Sequence, residues 1–148
     1  AQGADVIFSV AGGAGLGILA GCAESNIYAI GVDSDQSPII DAYGEGMTVT
    51  SAMKGLAPTV KTLLSAIVVD DTWADYVGKI DNLGLVSENP EENYVQIPMA
   101  TTQWSDTFTQ DDYKALVAEM VAGNVTVSNS IDAMPETAIT VNDLGNIK

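Results

Sequence analysis

Residues 6–32, VIFSVAGGAGLGILAGCAESNIYAIGV, decide the fold. Val6 to Val10 is β-prone and runs into the glycine-rich turn AGGAGLG. Leu16, Leu19, Ala20 and Ala23 then recur at i, i+3, i+4 and i+7, the spacing of one helix face. Ile18 and Cys22 occupy the opposite face, so the helix is apolar nearly all round and is expected to be well buried. Ser25-Asn26 ends it, and Ile27 to Val32 predicts a second buried strand. Strand, glycine turn, helix and strand make a βαβ unit with parallel strands and a right-handed crossover.

Beyond this unit, Asp33 to Gly46 is turn-rich, punctuated by Pro38, Gly44 and Gly46. Met47 to Met53 (MTVTSAM) predicts a third strand. Pro58 introduces a helix that carries Val60, Leu63, Leu64, Ile67 and Val68 on one face. It should stop near Asp70 and Asp71, since a helix C-terminus disfavours negative charge. Periodicity is weak from Trp73 to Ser105, with Tyr94 to Pro98 a short strand candidate. Thr109 before Gln110-Asp111-Asp112 is a helix N-cap; Tyr113, Leu116, Val117, Met120 and Val121 form the stripe, and Gly123 the stop. The tail holds two β-like runs, Val125 to Val127 and Ala138 to Val141. The whole reads as an α/β layered sheet with helices on both faces. Ligands of such sheets bind beyond the carboxyl ends of the strands, which selects the loops after Val10 and Val32 and the strand end near Met53.

Composition narrows the function. The chain has 148 residues, 47% of them hydrophobic, which suits one packed domain. Twenty acidic residues against five basic ones give a net charge of −15, with no arginine. Nucleic-acid binding needs cations to displace phosphate counterions, so no nucleic-acid partner is expected. An anionic membrane surface would be repelled as well. No apolar run reaches the ~20 residues that span a bilayer. Histidine is absent, which removes the commonest general base and metal-binding nitrogen. Cys22 then has no histidine to activate it and is expected to be a core residue. The acidic pairs Asp70-Asp71, Glu91-Glu92 and Asp111-Asp112 lack calcium-loop spacing and are expected to be solvated surface. No enzyme activity, cofactor or metal is expected.

Three candidates remain. The glycine loop, with Gly12 and Gly13 at its head, opens a helix whose free N–H groups attract oxygen-rich ligands, although close strand–helix packing alone also demands glycine. Asp33, directly after the second strand, can accept two hydrogen bonds from a vicinal diol such as ribose; alternatively it closes the turn Asp33 to Gln36, a role assigned more readily to Asp35. Lys54, after the third strand, could neutralise Asp33 or donate to ligand hydroxyls, or be an ordinary exposed lysine. A dinucleotide-binding domain is the competing interpretation, but Gly13-x-Gly15-x-Gly17 puts the third glycine one position early for G-x-G-x-x-G.

GADVIFSVAGGAGLG, YAIGVDSDQ and VTSAMK, in that order, resemble the basic membrane protein family of ABC-transporter substrate-binding lipoproteins, which includes purine nucleoside receptors. The resemblance implies a type I periplasmic-binding-protein fold in which two α/β lobes close on a ligand. Residues 1–148 would then be the C-terminal lobe, a three-layer parallel-sheet structure incomplete at its N-terminus, with the other lobe outside this chain. It further implies Phe8 as an aromatic beside the base, Gly12 and Gly13 as backbone contacts, and Asp33 with Lys54 on the ribose. The expected partners are a nucleoside-like solute and an ABC permease. The expected location is extracytoplasmic, held to the membrane by a lipid anchor ahead of this sequence. A lobe that keeps the fold but binds no solute is the third possibility.

Overall fold

A computed structural model describes residues 3–134 and 136–145. Three parallel strands lie side by side in chain order: β1 (Val6–Phe8), β2 (Tyr28–Asp33) and β3 (Thr48–Lys54). A fourth, β4 (Val95–Gln96), pairs antiparallel with the end of β3, Lys54 facing Val95. Helix α1 (Gly15–Ser25) makes the crossover from β1 to β2, and the one-turn α2 (Ser37–Ile40) leads from β2 towards β3. Helix α3 (Leu56–Val68) follows β3, and α4 (Gln110–Val121) follows β4.

Parity along the strands explains the layers. Successive side chains point to opposite faces of a sheet. Ala29 on β2 packs with Leu19 and Cys22 of α1, Ile40 of α2 and Met47, with Ile7 and Ile27 against them. α1 and α2 therefore cover one face. Ala52 on β3 has the other parity and shares a groove with Tyr113, Leu116, Val117 and Met120 of α4. The α/β sheet with helices on both faces is thus observed.

Gly31 shows how tightly the first layer closes. A Cβ there would lie 2.5 Å from Ser51 Oγ and 2.8 Å from Gln36 Cβ. Its absence lets Gln36 sit on the sheet, where Oε1 accepts from Val32 N–H at 2.8 Å and the Gln36 N–H donates to Ser51 Oγ at 3.1 Å.

Elsewhere the structure departs from the sequence pattern. β1 stops at Phe8, and Gly12–Ala14 forms a 3-10 turn before α1. α1 buries only Leu19 and Cys22, and Leu16 is half exposed, because a helix on the outside of a sheet presents one face to solvent however apolar it is. The stripe of α3 also turns outward: Val60, Leu64, Ile67 and Val68 are all more than half exposed, and only Ala66 is buried. The turn-rich stretch after Asp33 contains α2, too short to show periodicity. Neither β-like run in the tail forms a strand.

The aperiodic segment from Trp73 to Ser105 is organised by side-chain bonds to backbone. Asn93 is fully buried; its Oδ1 accepts from the N–H groups of Val86 and Ser87, and its Nδ2 donates to the carbonyls of Ser87 and Asn89. Such structure leaves no hydrophobic period to read.

Candidate functional site

Because β1, β2 and β3 run parallel, the residues that follow them emerge on one rim. Gly12 and Gly13 follow β1, while Asp33 and Lys54 are the last residues of β2 and β3. Glycine loop and carboxylate therefore share an end of the sheet. One narrow cleft has both Gly12 and Val32, the neighbour of Asp33, in its walls.

Asp33 is conformationally unusual. Its φ is +71°, and the N–H of Ser34 reaches back to the carbonyl of Val32 at 2.9 Å, a three-residue γ-turn centred on Asp33. Aspartate tolerates positive φ better than most residues, but the geometry is strained. The turn is made by backbone alone, which frees the carboxylate. Its Oδ1 instead lies 2.8 Å from Lys54 Nζ, with the aspartate side chain 50% and the lysine side chain 68% exposed. An ion pair so open to water contributes little to stability. Each partner keeps hydrogen-bonding capacity for something else: the carboxylate its second oxygen, the ammonium its remaining donors.

Asp35 does the local structural work. Its Oδ1 accepts from the Ser37 N–H at 3.0 Å and its Oδ2 from the Thr101 hydroxyl at 2.9 Å. Burial pushes this carboxyl's pKa up, but the bonds from Ser37 and Thr101 outweigh it and hold the group below its ordinary value. The turn-closing assignment of Asp35 is therefore correct.

Gly12 has φ +52°, the left-handed region that favours glycine. Gly13 has no such requirement, and a Cβ built on it meets nothing within 4 Å. The space above Gly13 is open. Neither Ala11 nor Ala14 caps its helix start with a side chain, so no protein side chain stands in for a ligand there. Phe8 is half exposed, on the sheet face opposite to Ile7 and Ser9. Cys22 is buried, which raises its thiol pKa, as expected of an inert core cysteine.

Two residues of this region escaped the sequence analysis. Gln36, within the DSDQ string, locks the corner after β2. Ser9, next to Phe8, is 7% exposed and its Oγ finds no hydrogen-bond partner among the described residues. Only burial and bonding could have singled them out, because Ser9 just after β1 and Gln36 just before α2 carry no pattern signal of their own.

The rim is open and offers a single wall to a ligand. A larger recess of about 230 Å³, lined by Asn26, Tyr28, Tyr43 and Met47, lies at the opposite end of β2 and contributes nothing to the rim.

No curated protein matches the chain. A family model, described as ABC transporter substrate-binding protein PnrA-like, matches residues 1–123, from before β1 to just past α4. That span holds every element of the sheet and every residue of the rim, so the chain belongs to the Bmp family of ABC transporter substrate-binding proteins.

Proposed function

We propose that this chain is the C-terminal lobe of an extracytoplasmic receptor that binds a nucleoside, of the purine class, between two lobes. The observation that carries this is the Asp33–Lys54 pair, at 2.8 Å, on the rim beside an uncapped glycine loop. A carboxylate with a free oxygen next to an ammonium matches a ribose diol, whose hydroxyls both donate and accept. The open space over Gly13 leaves room for the ligand to approach the backbone amides. Phe8, half exposed, supplies an aromatic surface for the base. With only one wall here, tight capture requires a second lobe that closes over the solute, after which an ABC permease accepts it. Net charge −15 favours a neutral or cationic solute over a nucleotide, whose phosphates would be repelled.

Isothermal titration calorimetry on the intact protein tests the proposal. Adenosine, guanosine or inosine should give saturable heat, with free bases weaker and NAD silent. Heat with NAD but not with nucleosides would overturn it in favour of a dinucleotide-binding domain. Silence to all three would leave a lobe that keeps the fold without this solute.

A further inference from the structure

Ser9 directly follows β1 with its side chain towards α1, nine-tenths buried, its hydroxyl unpartnered among the described residues. The cleft in front of it has a volume of about 30 Å³ and is walled by Ser9, Gly12, Gly15, Leu16, Val32 and Gln36. That is the room one water takes, and far too little for an organic ligand. Gly15 keeps the space open: a Cβ there would come within 3.3 Å of Ser9 Oγ. The walls supply the polar partners that a buried water needs. Gln36 has its carboxamide oxygen committed to Val32 N–H, which leaves the amide nitrogen as a donor. The N–H groups of Ala14 and Gly15 are taken by the carbonyls of Ala11 and Gly12, so the backbone donors on offer are those that open the 3-10 turn, Gly12 and Gly13, uncapped by any side chain. Ser9 Oγ can accept or donate.

We propose that this cleft is a built site for a single ordered water, anchored by Ser9, which ties the glycine loop to the corner after β2. Gly12 borders the cleft and Gln36 borders it from the other side, so the water bridges the two loops that flank the rim. Ser9 is thereby a positioning residue: it touches no solute, but sets the loop over which the solute lies. The water site stands on the cleft and the orphan hydroxyl; only its effect on affinity rests on the nucleoside reading.

High-resolution crystal structures of the intact protein and of Ser9→Ala, with melting temperatures and inosine titrations of both, decide the matter. Expected is a solvent atom within hydrogen-bond distance of Ser9 Oγ, lost in S9A together with several degrees of melting temperature and roughly tenfold in inosine affinity. Ser9→Cys, which keeps the shape with a weaker hydrogen bond, should fall between the two and serves if S9A does not fold. A dry cleft in the wild-type protein overturns the proposal, as does an S9A variant that melts higher, the result expected when a dry buried hydroxyl is removed. If wild-type protein gives no heat with adenosine, guanosine or inosine, the nucleoside reading fails, while the solvent atom and the melting temperatures still decide the water.

Discussion

Asp33 Oδ1 lies 2.8 Å from Lys54 Nζ across the ends of two neighbouring parallel strands, and Asp33 holds this position from a backbone φ of +71°. The protein keeps a strained residue for an ion pair that water weakens, a poor exchange if stability were its purpose. Asp33→Gly should relieve the strain and raise the melting temperature by about 1–3 °C, while riboside binding falls at least a hundredfold. Asp33→Asn should keep the strain and also lose most of the affinity. Paired titrations with inosine and hypoxanthine provide the check: equal losses for both would detach Asp33 from the sugar.

Gly13 and Gly31 separate a binding role from a packing role. Nothing lies within 4 Å of a Cβ at Gly13, and its φ is not in the left-handed region. Gly13→Val should therefore fold with a melting temperature close to wild type, while its side chain projects into the space assigned to the solute and abolishes binding. Gly31→Ala should do the reverse. Its methyl would collide with Ser51 Oγ and Gln36 Cβ and break the bonds that fix Gln36, at a cost of about 1–3 kcal/mol. Chemical denaturation of the two variants beside calorimetry is the measurement; a Gly13→Val protein with full affinity would move the site elsewhere.

How much of this was legible in the sequence follows from what kind of signal each feature leaves. β1, α1 and β2 were found through the apolar runs and the glycine turn, and the rim followed because parallel strands deliver their ends together. Thr109 and α4 were found through capping chemistry confined to a few adjacent residues. The pairing of Asp33 with Lys54, 21 residues later, was visible only as a possibility, since it needs the register that sets Asp33 opposite Met53. Ser9 and Gln36 left no signal: their importance lies in the absence or presence of one hydrogen bond across the fold. The outward stripe of α3 misled in a different way. Spacing tells which residues share a face, not whether anything covers it.

The corner after β2 should soften in acid. Asp35 is held below its ordinary value of 3.8 by bonds from Ser37 and Thr101 that overcome the effect of burial. A carboxyl whose folded pKa is depressed adds stability that is complete above the unfolded value. That stability disappears as pH falls from the ordinary value through the lowered one. Melting temperatures should therefore decline below about pH 4, and Asp35→Asn should lower the plateau and flatten that part of the decline. Wild-type and variant curves that run parallel down to pH 2.5 would show that Asp35 is not the group responsible.

Helix α4 depends on a reciprocal cap. Thr109 Oγ1 accepts from the Asp112 N–H at 3.2 Å, and Asp112 Oδ2 accepts from the Thr109 N–H at 2.8 Å and its hydroxyl at 2.7 Å. The backbone and side-chain bonds from Thr109 also lower the Asp112 pKa, so the carboxylate half of the cap stays ionised to lower pH than an ordinary aspartate. Thr109→Ala removes the hydroxyl and should cost about 1 kcal/mol, whereas Thr109→Ser should cost little because serine caps as well as threonine. Because α4 covers the sheet face that carries Ala52, the loss should appear as faster hydrogen exchange along Tyr113 to Val121, and not at the rim of β1 and β2. If exchange instead quickened around Gly12 and Asp33, the two faces of the sheet would be coupled, and the rim could no longer be treated as a platform set by its own layer.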